Sequence, residues 1–193
     1  GQGPGEVCAF GLNNNEREGL THEWEGAFRI ARRAGLPGVP HGGELRGADH
    51  LEEVVEHLEP TRIGHGVRAV EDPDLLKRMI DKGITFEVCP ASNVQLGVYQ
   101  EAEDVPLRGL LDAGAHVALG ADDPLLFLSR LTDQYVTARD VHGLDDAALA
   151  RLAKSSIEAS FAPAEDKRRW LAEVDDWLSV PAAPDPPARP SQI

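Results

Sequence analysis

The chain is poor in several things that would narrow its class. Only two cysteines occur among its 193 residues, Cys8 and Cys89, and they form no C-x-x-C pair. That argues against a disulfide framework and cysteine-ligated metal motifs, and the expectation is two reduced thiols, each buried near a strand, in a cytoplasmic protein. Positive charge is scarce, with 19 Lys+Arg against 33 Asp+Glu and a formal net charge of −14. Nucleic acid in bulk is therefore not an expected partner, because phosphate contacts need a basic face, whereas a small neutral or basic ligand stays open. No apolar run reaches the ~20 residues of a spanning helix, so no membrane contact is expected. The first residues, GQGPGEV, lack a charged-then-apolar signal. The remaining balance, 41% hydrophobic and 27% charged, suffices for a buried core.

Five short apolar segments stand out: Glu6–Leu12, Leu36–His41, Thr61–Gly66, Thr85–Pro90 and His116–Asp122. They are too short for helices and carry Val, Ile and Phe, which predicts strands. Amphipathic stretches of helical period lie between them. Trp24–Ala34 puts Trp24, Ala27, Phe28 and Ala31 on one face and stops at Gly35. Asp49–Leu58 follows. Asp72-Pro73 is an N-cap with proline at the first helical position, and Gly83 closes that helix. Pro106–Ala113 ends at Gly114 in the same way. Strands and helices alternating at this spacing predict βαβ units and a parallel sheet. After Asp122 the pattern turns all-helical, over Pro124–Val141, Asp145–Ser160 and Ala164–Leu178. Residues 1–179 read as one domain portion and the Pro-rich stretch 180–193 as a disordered tail.

The chemistry-bearing residues collect where these strands end. The clusters are Asn13-Asn14-Asn15-Glu16, His41-Gly42-Gly43-Glu44, Gly64-His65-Gly66, Cys89-Pro90-Ala91-Ser92-Asn93 and Gly120-Ala121-Asp122-Asp123. In parallel α/β sheets and barrels the carboxyl ends of the strands hold the ligand, so the five clusters are expected at one mouth. Each residue also has a plainer role open to it. His41 can serve as a strand-end hydrogen-bond partner, Asp122-Asp123 can cap the helix that Pro124 opens, and Glu44 can pair with Arg46 in solvent. His22, His50, His57, His116 and His142 are read as structural.

Four of these motifs, P-H-G-G-E at 40–44, R-I-G-H-G at 62–66, C-P-A-S-N at 89–93 and G-A-D-D-P at 120–124, resemble the adenosine deaminase family of the amidohydrolase superfamily. The resemblance covers roughly residues 6–160. It implies a (β/α)8 TIM barrel of the metal-dependent hydrolase type, of which this chain carries about the last five strands, and one catalytic Zn2+. It implies hydrolytic deamination of a 6-aminopurine nucleoside, adenosine to inosine or a close analogue, with release of ammonia. By motif, His41 resembles a zinc-binding histidine and Asp122 the zinc-binding aspartate that takes the water proton. Glu44 resembles the acid that protonates the ring near N1, and His65 the histidine beside the metal-activated water. Asp123 resembles the carboxylate that meets N7. A neutral acid in a closed pocket and a zinc-acidified water suit that chemistry. Cytidine-type zinc deaminases use cysteine ligands, which the cysteine spacing here does not supply.

The chain departs from the family pattern in two ways. An eight-stranded barrel takes about 250 residues, and the family's first strand carries an H-x-H that supplies two zinc ligands. No H-x-H occurs in this chain, so two further histidine ligands are expected from an N-terminal segment. Asn14 stands where the family commonly has a glycine beside the purine, and it is read as substrate-binding. That change brings adenine and 6-aminodeoxyfutalosine forward as alternative substrates. A non-catalytic purine-binding barrel is the alternative of another class. A homo-oligomer is allowed for.

Overall fold

The computed structural model describes residues 7–13 and 15–180. Asn14 and the tail beyond Val180 lie outside them, as do Gly1–Glu6. Five parallel strands form one sheet in chain order: β1 (Phe10–Leu12), β2 (Gly38–Gly42), β3 (Arg62–His65), β4 (Thr85–Val88) and β5 (His116–Leu119). All five apolar segments contain a strand, each shorter than expected at its C-terminal or N-terminal side. The helices between them are α1 (Glu25–Arg33), α2 (Ala48–Leu58), α3 (Pro73–Asp81), α4 (Pro90–Gln95) and α5 (Leu107–Asp112). The helical end comprises α6 (Pro124–Phe127), α7 (Leu131–Asp140), α8 (Asp146–Ala159) and α9 (Ala164–Ser179).

The two faces of the sheet differ in chemistry because side chains alternate along a strand. One face is apolar and covered by helices: Ile63, Phe86, Val88 and Val117 are buried there with Phe28, Leu51 and Val54 of the helical layer. Helix and strand approach closely at two glycines. A Cβ on Gly42 would sit 3.1 Å from Ile63 and 3.2 Å from Val54, and one on Gly38 3.1 Å from Phe28. The opposite face is polar and half-buried. Its central row runs across four strands in register, His41 opposite Gly64, Gly64 opposite Glu87 and Glu87 opposite Ala118. Arg62 and Glu87 pair on it at 3.1 Å. A half-buried polar face on a parallel sheet is what a barrel interior looks like when only part of the barrel surrounds it.

The caps follow the signals in the chain. Asp72 accepts from the Asp74 and Leu75 N–H groups at 3.0 Å each, and Pro73 occupies the first helical position. Several expectations are corrected. Cys89 is buried, but Cys8 is exposed, because its segment joins the edge strand β1. Trp24 belongs to a 3-10 turn (Thr21–Trp24) before α1 and is exposed, while Phe28 and Ala31 go to the core. The span Pro124–Val141 is two helices, broken at Leu128, whose φ of 48° no helix can hold. Pro90 opens α4 rather than ending β4, since proline suits the first turn of a helix and cannot donate to a sheet ladder.

Candidate active site

The polar row and the residues that follow β1, β4 and β5 line a cavity of about 400 Å³, with His41, Gly64, His65, Cys89 and Asp122 among them. His41, at the end of β2, leans over Gly64, where a Cβ would meet its Cδ2 at 2.4 Å. His65 closes β3 with φ 63°, and Asp122 follows β5 with φ 54°. Both are non-glycine residues in the left-handed region, which costs of order 1–3 kcal/mol and is held only where the surroundings fix it. That strain re-aims each side chain at the point where its strand ends.

The contacts join these residues into one cluster. His65 Nδ1 lies 3.3 Å from Glu44 Oε1, and its Nε2 lies 3.9 Å from Asp122 Oδ2. Asn93 is buried between them, its Nδ2 3.4 Å from Glu44 Oε1 and 3.3 Å from His65 Nδ1. The Ser92 hydroxyl donates to Asp122 Oδ2 at 2.6 Å. Glu44 does not meet Arg46 in solvent: it is buried, and Arg46 pairs with Asp49 and Glu53 instead. Asp123 is exposed, and its Oδ1 caps α6 by accepting from the Leu125 and Leu126 N–H groups at 3.2 Å each. Asn14 lies outside the described residues. Glu16, Ser92 and Asn93 are members of the strand-end clusters for which the residue pattern suggested no separate role.

Burial sets the protonation of the cluster. Burial, reinforced by the Glu16 and Asp122 carboxylates, pushes the Glu44 carboxyl up to about 7, while its bond from Asn93 pulls the other way. Burial pulls His65 down to about 4, helped by the His41 ring and opposed by Asp122 and Glu16. His41 is lowered by burial against the pull of Asp122, Glu16 and Glu87. Burial and the nearby Asp122 and Glu87 push the Cys89 thiol up to about 12, so it stays protonated. Near neutrality the site thus offers two uncharged imidazoles and a protonable acid. Behind it, burial works to raise Glu16, but His50 and the N–H groups of Arg46 and Glu44 outweigh that and hold it below its ordinary range.

The donor set fits a divalent metal such as zinc, for which neutral imidazole and carboxylate are the usual nitrogen and oxygen ligands. Donor atoms of His41, Glu44 and His65 lie within 4.8 Å of one another, as do those of His65, Cys89 and Asp122. His65 is common to both groups, and among the described residues His41 and Asp122 fall in different ones.

A parallel sheet with helices on one face and this histidine-carboxylate cluster at its carboxyl ends defines part of an amidohydrolase-type β/α barrel. More narrowly, the chain belongs to the adenosine deaminase family, whose profile matches residues 3–177. It is 58% identical over 172 residues to a Streptomyces coelicolor protein provisionally named adenosine/adenine deaminase, covering 89% of this chain and 50% of that one. It is 43% identical to a Sinorhizobium fredii adenine deaminase over 87% of this chain and 52% of the relative. The structure of an adenine deaminase from Arthrobacter aurescens is similar at TM-score 0.86 and 32% identity, covering 90% of this chain and 53% of that one. A Burkholderia ambifaria amidohydrolase solved with bound zinc is similar at TM-score 0.81 and 26% identity, covering 90% and 49%. The chain spans about half the length of the curated relatives it matches, and its five strands are a partial barrel. No helix among the described residues is long and apolar enough to cross a membrane.

Proposed function

We propose that this chain supplies the acid, the base and part of the metal site of a zinc-dependent deaminase that hydrolyses the 6-amino group of a purine. The observation that carries the reading is the buried Glu44 carboxyl, pushed up to about 7 and held beside His65 and Asn93. Hydrolysis at C6 loads the ring with electrons, and a neutral acid at the ring nitrogen relieves it. His41 and Asp122 would hold the zinc, with two histidines from a preceding segment. Zinc would supply Lewis-acid activation of water.

The chain's own residues do the rest. Asp122, fixed by the Ser92 hydroxyl, accepts the proton of the attacking water. His65, uncharged, receives the Asn93 amide at Nδ1 in the tautomer that turns its Nε2–H toward Asp122. It therefore turns a donor toward that carboxylate, and Asp122 itself returns the water proton to the departing ammonia. Asp123 keeps Oδ2 free of its capping bonds for a purine N–H, and Asn14, which replaces a glycine of the family pattern, is the second substrate-binding residue.

Adenine is the substrate the relatives favour. The Sinorhizobium fredii protein and the Arthrobacter aurescens structure both bear the name adenine deaminase, and Asn14 takes the place of the glycine that the family commonly has beside the purine. The test is parallel deamination of adenine, adenosine, deoxyadenosine and 6-aminodeoxyfutalosine by the complete protein. Preferential turnover of adenine is expected. A clear preference for adenosine would overturn the adenine reading, and binding of purine without any turnover would favour a non-catalytic barrel.

A further inference from the structure

We infer that Glu16 is a positioning residue for Glu44, its buried carboxylate fixing the backbone from which the Glu44 side chain reaches His65 and Asn93. The inference rests on the reading of Glu44 as the proton donor.

Glu16 follows β1, one strand away from the loop it holds. Both of its oxygens accept from the Glu44 N–H at 3.1 Å, and Oε2 also accepts from the Leu45 and Arg46 N–H groups at 2.8 Å each. Three successive N–H groups turned to one side form an anion-binding concavity, here filled by the chain's own carboxylate. The turn is made by Gly43, whose φ is 63°. His50 of α2 backs the carboxylate, with Nδ1 3.6 Å from Oε2. Glu16 is itself buried, 5% exposed, so no water can substitute for it without a rearrangement of the loop. The lever is short: the bond is made to the amide of Glu44 itself. A shift of the carboxylate is passed directly to the Cα that carries the acid. Around this centre both loops are also held to Glu53 of α2, by Arg46 from the one and Thr21 from the other, so that loss of Glu16 frees the Glu44 segment without detaching the loop.

Glu16→Gln keeps the size but turns an amide donor toward three donors. Two measurements read the result. On the 193-residue chain, nitrogen–proton correlation spectra should show the amide protons of Glu44, Leu45 and Arg46 moving upfield and exchanging faster. Those of β4 and β5 should stay in place. In the complete protein, kcat should fall by about 10²-fold with KM within about 3-fold and metal content unchanged, and Glu16→Asp should recover part of the loss. If Glu16→Gln does not fold, Glu16→Asp carries the same two measurements with a smaller expected fall. A merely structural Glu16 would lower the unfolding midpoint and leave kcat per folded, metal-loaded molecule at the parent value; that result overturns the inference. Glu44→Gln is run alongside. If it keeps normal turnover, the reading of Glu44 has failed. If it loses turnover while Glu16→Gln retains it and the three amides have not moved, only the role of Glu16 has failed.

Discussion

The His41 ring stands edge-on to the His65 ring, with centroids 4.7 Å apart and planes at 85°. His41 could not take this place over an ordinary strand. Gly64, opposite His41 in the register, leaves the space, and a Cβ there would fall 2.4 Å from His41 Cδ2 and 3.0 Å from its Nε2. The glycine before His65 is therefore part of how His41 is aimed.

Gly64→Ala should displace the His41 ring. Overpacking of this kind costs about 1–3 kcal/mol, to be read by urea unfolding. Zinc affinity of the complete protein should fall about 10–100-fold, as it does when the surroundings of a ligand are disturbed. Parent-like zinc affinity in this variant would take His41 out of the ligand set.

Asp122→Asn separates chemistry from folding at the other end of the site. Asparagine tolerates the left-handed backbone that Asp122 adopts at φ 54°, and its amide oxygen can still accept from Ser92. Stability should change by less than about 1 kcal/mol, while turnover falls at least ~10²-fold with the loss of the base. A variant that unfolds instead would make Asp122 chiefly a structural residue.

Much of this was legible in the residues. Strands with Val, Ile and Phe, each followed by a polar cluster, indicated a parallel sheet and its ligand-bearing end. The Asp72-Pro73 start and the glycine stops marked helix boundaries correctly. What stayed hidden depended on tertiary neighbours. The helix Pro90–Gln95 is short and polar, so no hydrophobic period announces it. Leu128 breaks the Pro124–Val141 stretch although leucine is a good helix former. Glu16, in an Asn-rich run, looks solvated until the loop after β2 folds over it. Asn93 lay inside a recognised cluster, but only the packing of α4 shows that its amide reaches both Glu44 and His65.

Glu44→Gln removes the donated proton and keeps the shape. Turnover in the complete protein should fall at least 10²–10⁴-fold, approximately the worth of general acid catalysis, with zinc content unchanged. Near-normal turnover would remove Glu44 from the mechanism.

The same variant reports on protonation in the metal-free chain. The Glu44 carboxyl goes from 4.5 to about 7 on folding, so the folded state holds a proton that the unfolded state has released, and stability from this group falls as pH rises from 4.5 through about 7. His65 goes from 6.5 to about 4, so the unfolded state binds the extra proton and stability rises with pH over that range. The two slopes oppose each other in the parent between pH 4.5 and 6.5. Glu44→Gln leaves the His65 slope alone. The stability of the variant relative to the parent should therefore grow from pH 4.5 to about 7 and then level off, as read by urea unfolding across that range. A difference that does not vary with pH would mean that Glu44 titrates as an exposed carboxyl does.

Metal retention by the 193-residue chain follows from how its donors are distributed. Catalytic zinc takes at least three protein ligands in a roughly tetrahedral arrangement. Here the two donor groups share His65, with His41 and Glu44 on one side and Asp122 and Cys89 on the other. The Cys89 thiol, pushed up to about 12, resists the deprotonation that ligation requires. The Glu44 carboxyl, pushed up to about 7, is in good part protonated near neutrality and is a poor ligand in that form. His41 and Asp122 remain as the firm donors, with His65 the one residue placed to join either. Two firm donors on an open sheet should bind zinc weakly. The isolated chain is therefore expected to lose zinc on dialysis and to show no deamination of a 6-aminopurine, even where the complete protein keeps both. Metal analysis after dialysis, paired with a deamination assay on the same sample, makes the measurement. Near-stoichiometric zinc with turnover would show that His65 closes the ligand set within this chain. Zinc retained without turnover would instead place the missing contribution in the chemistry of a preceding segment rather than in its metal ligands.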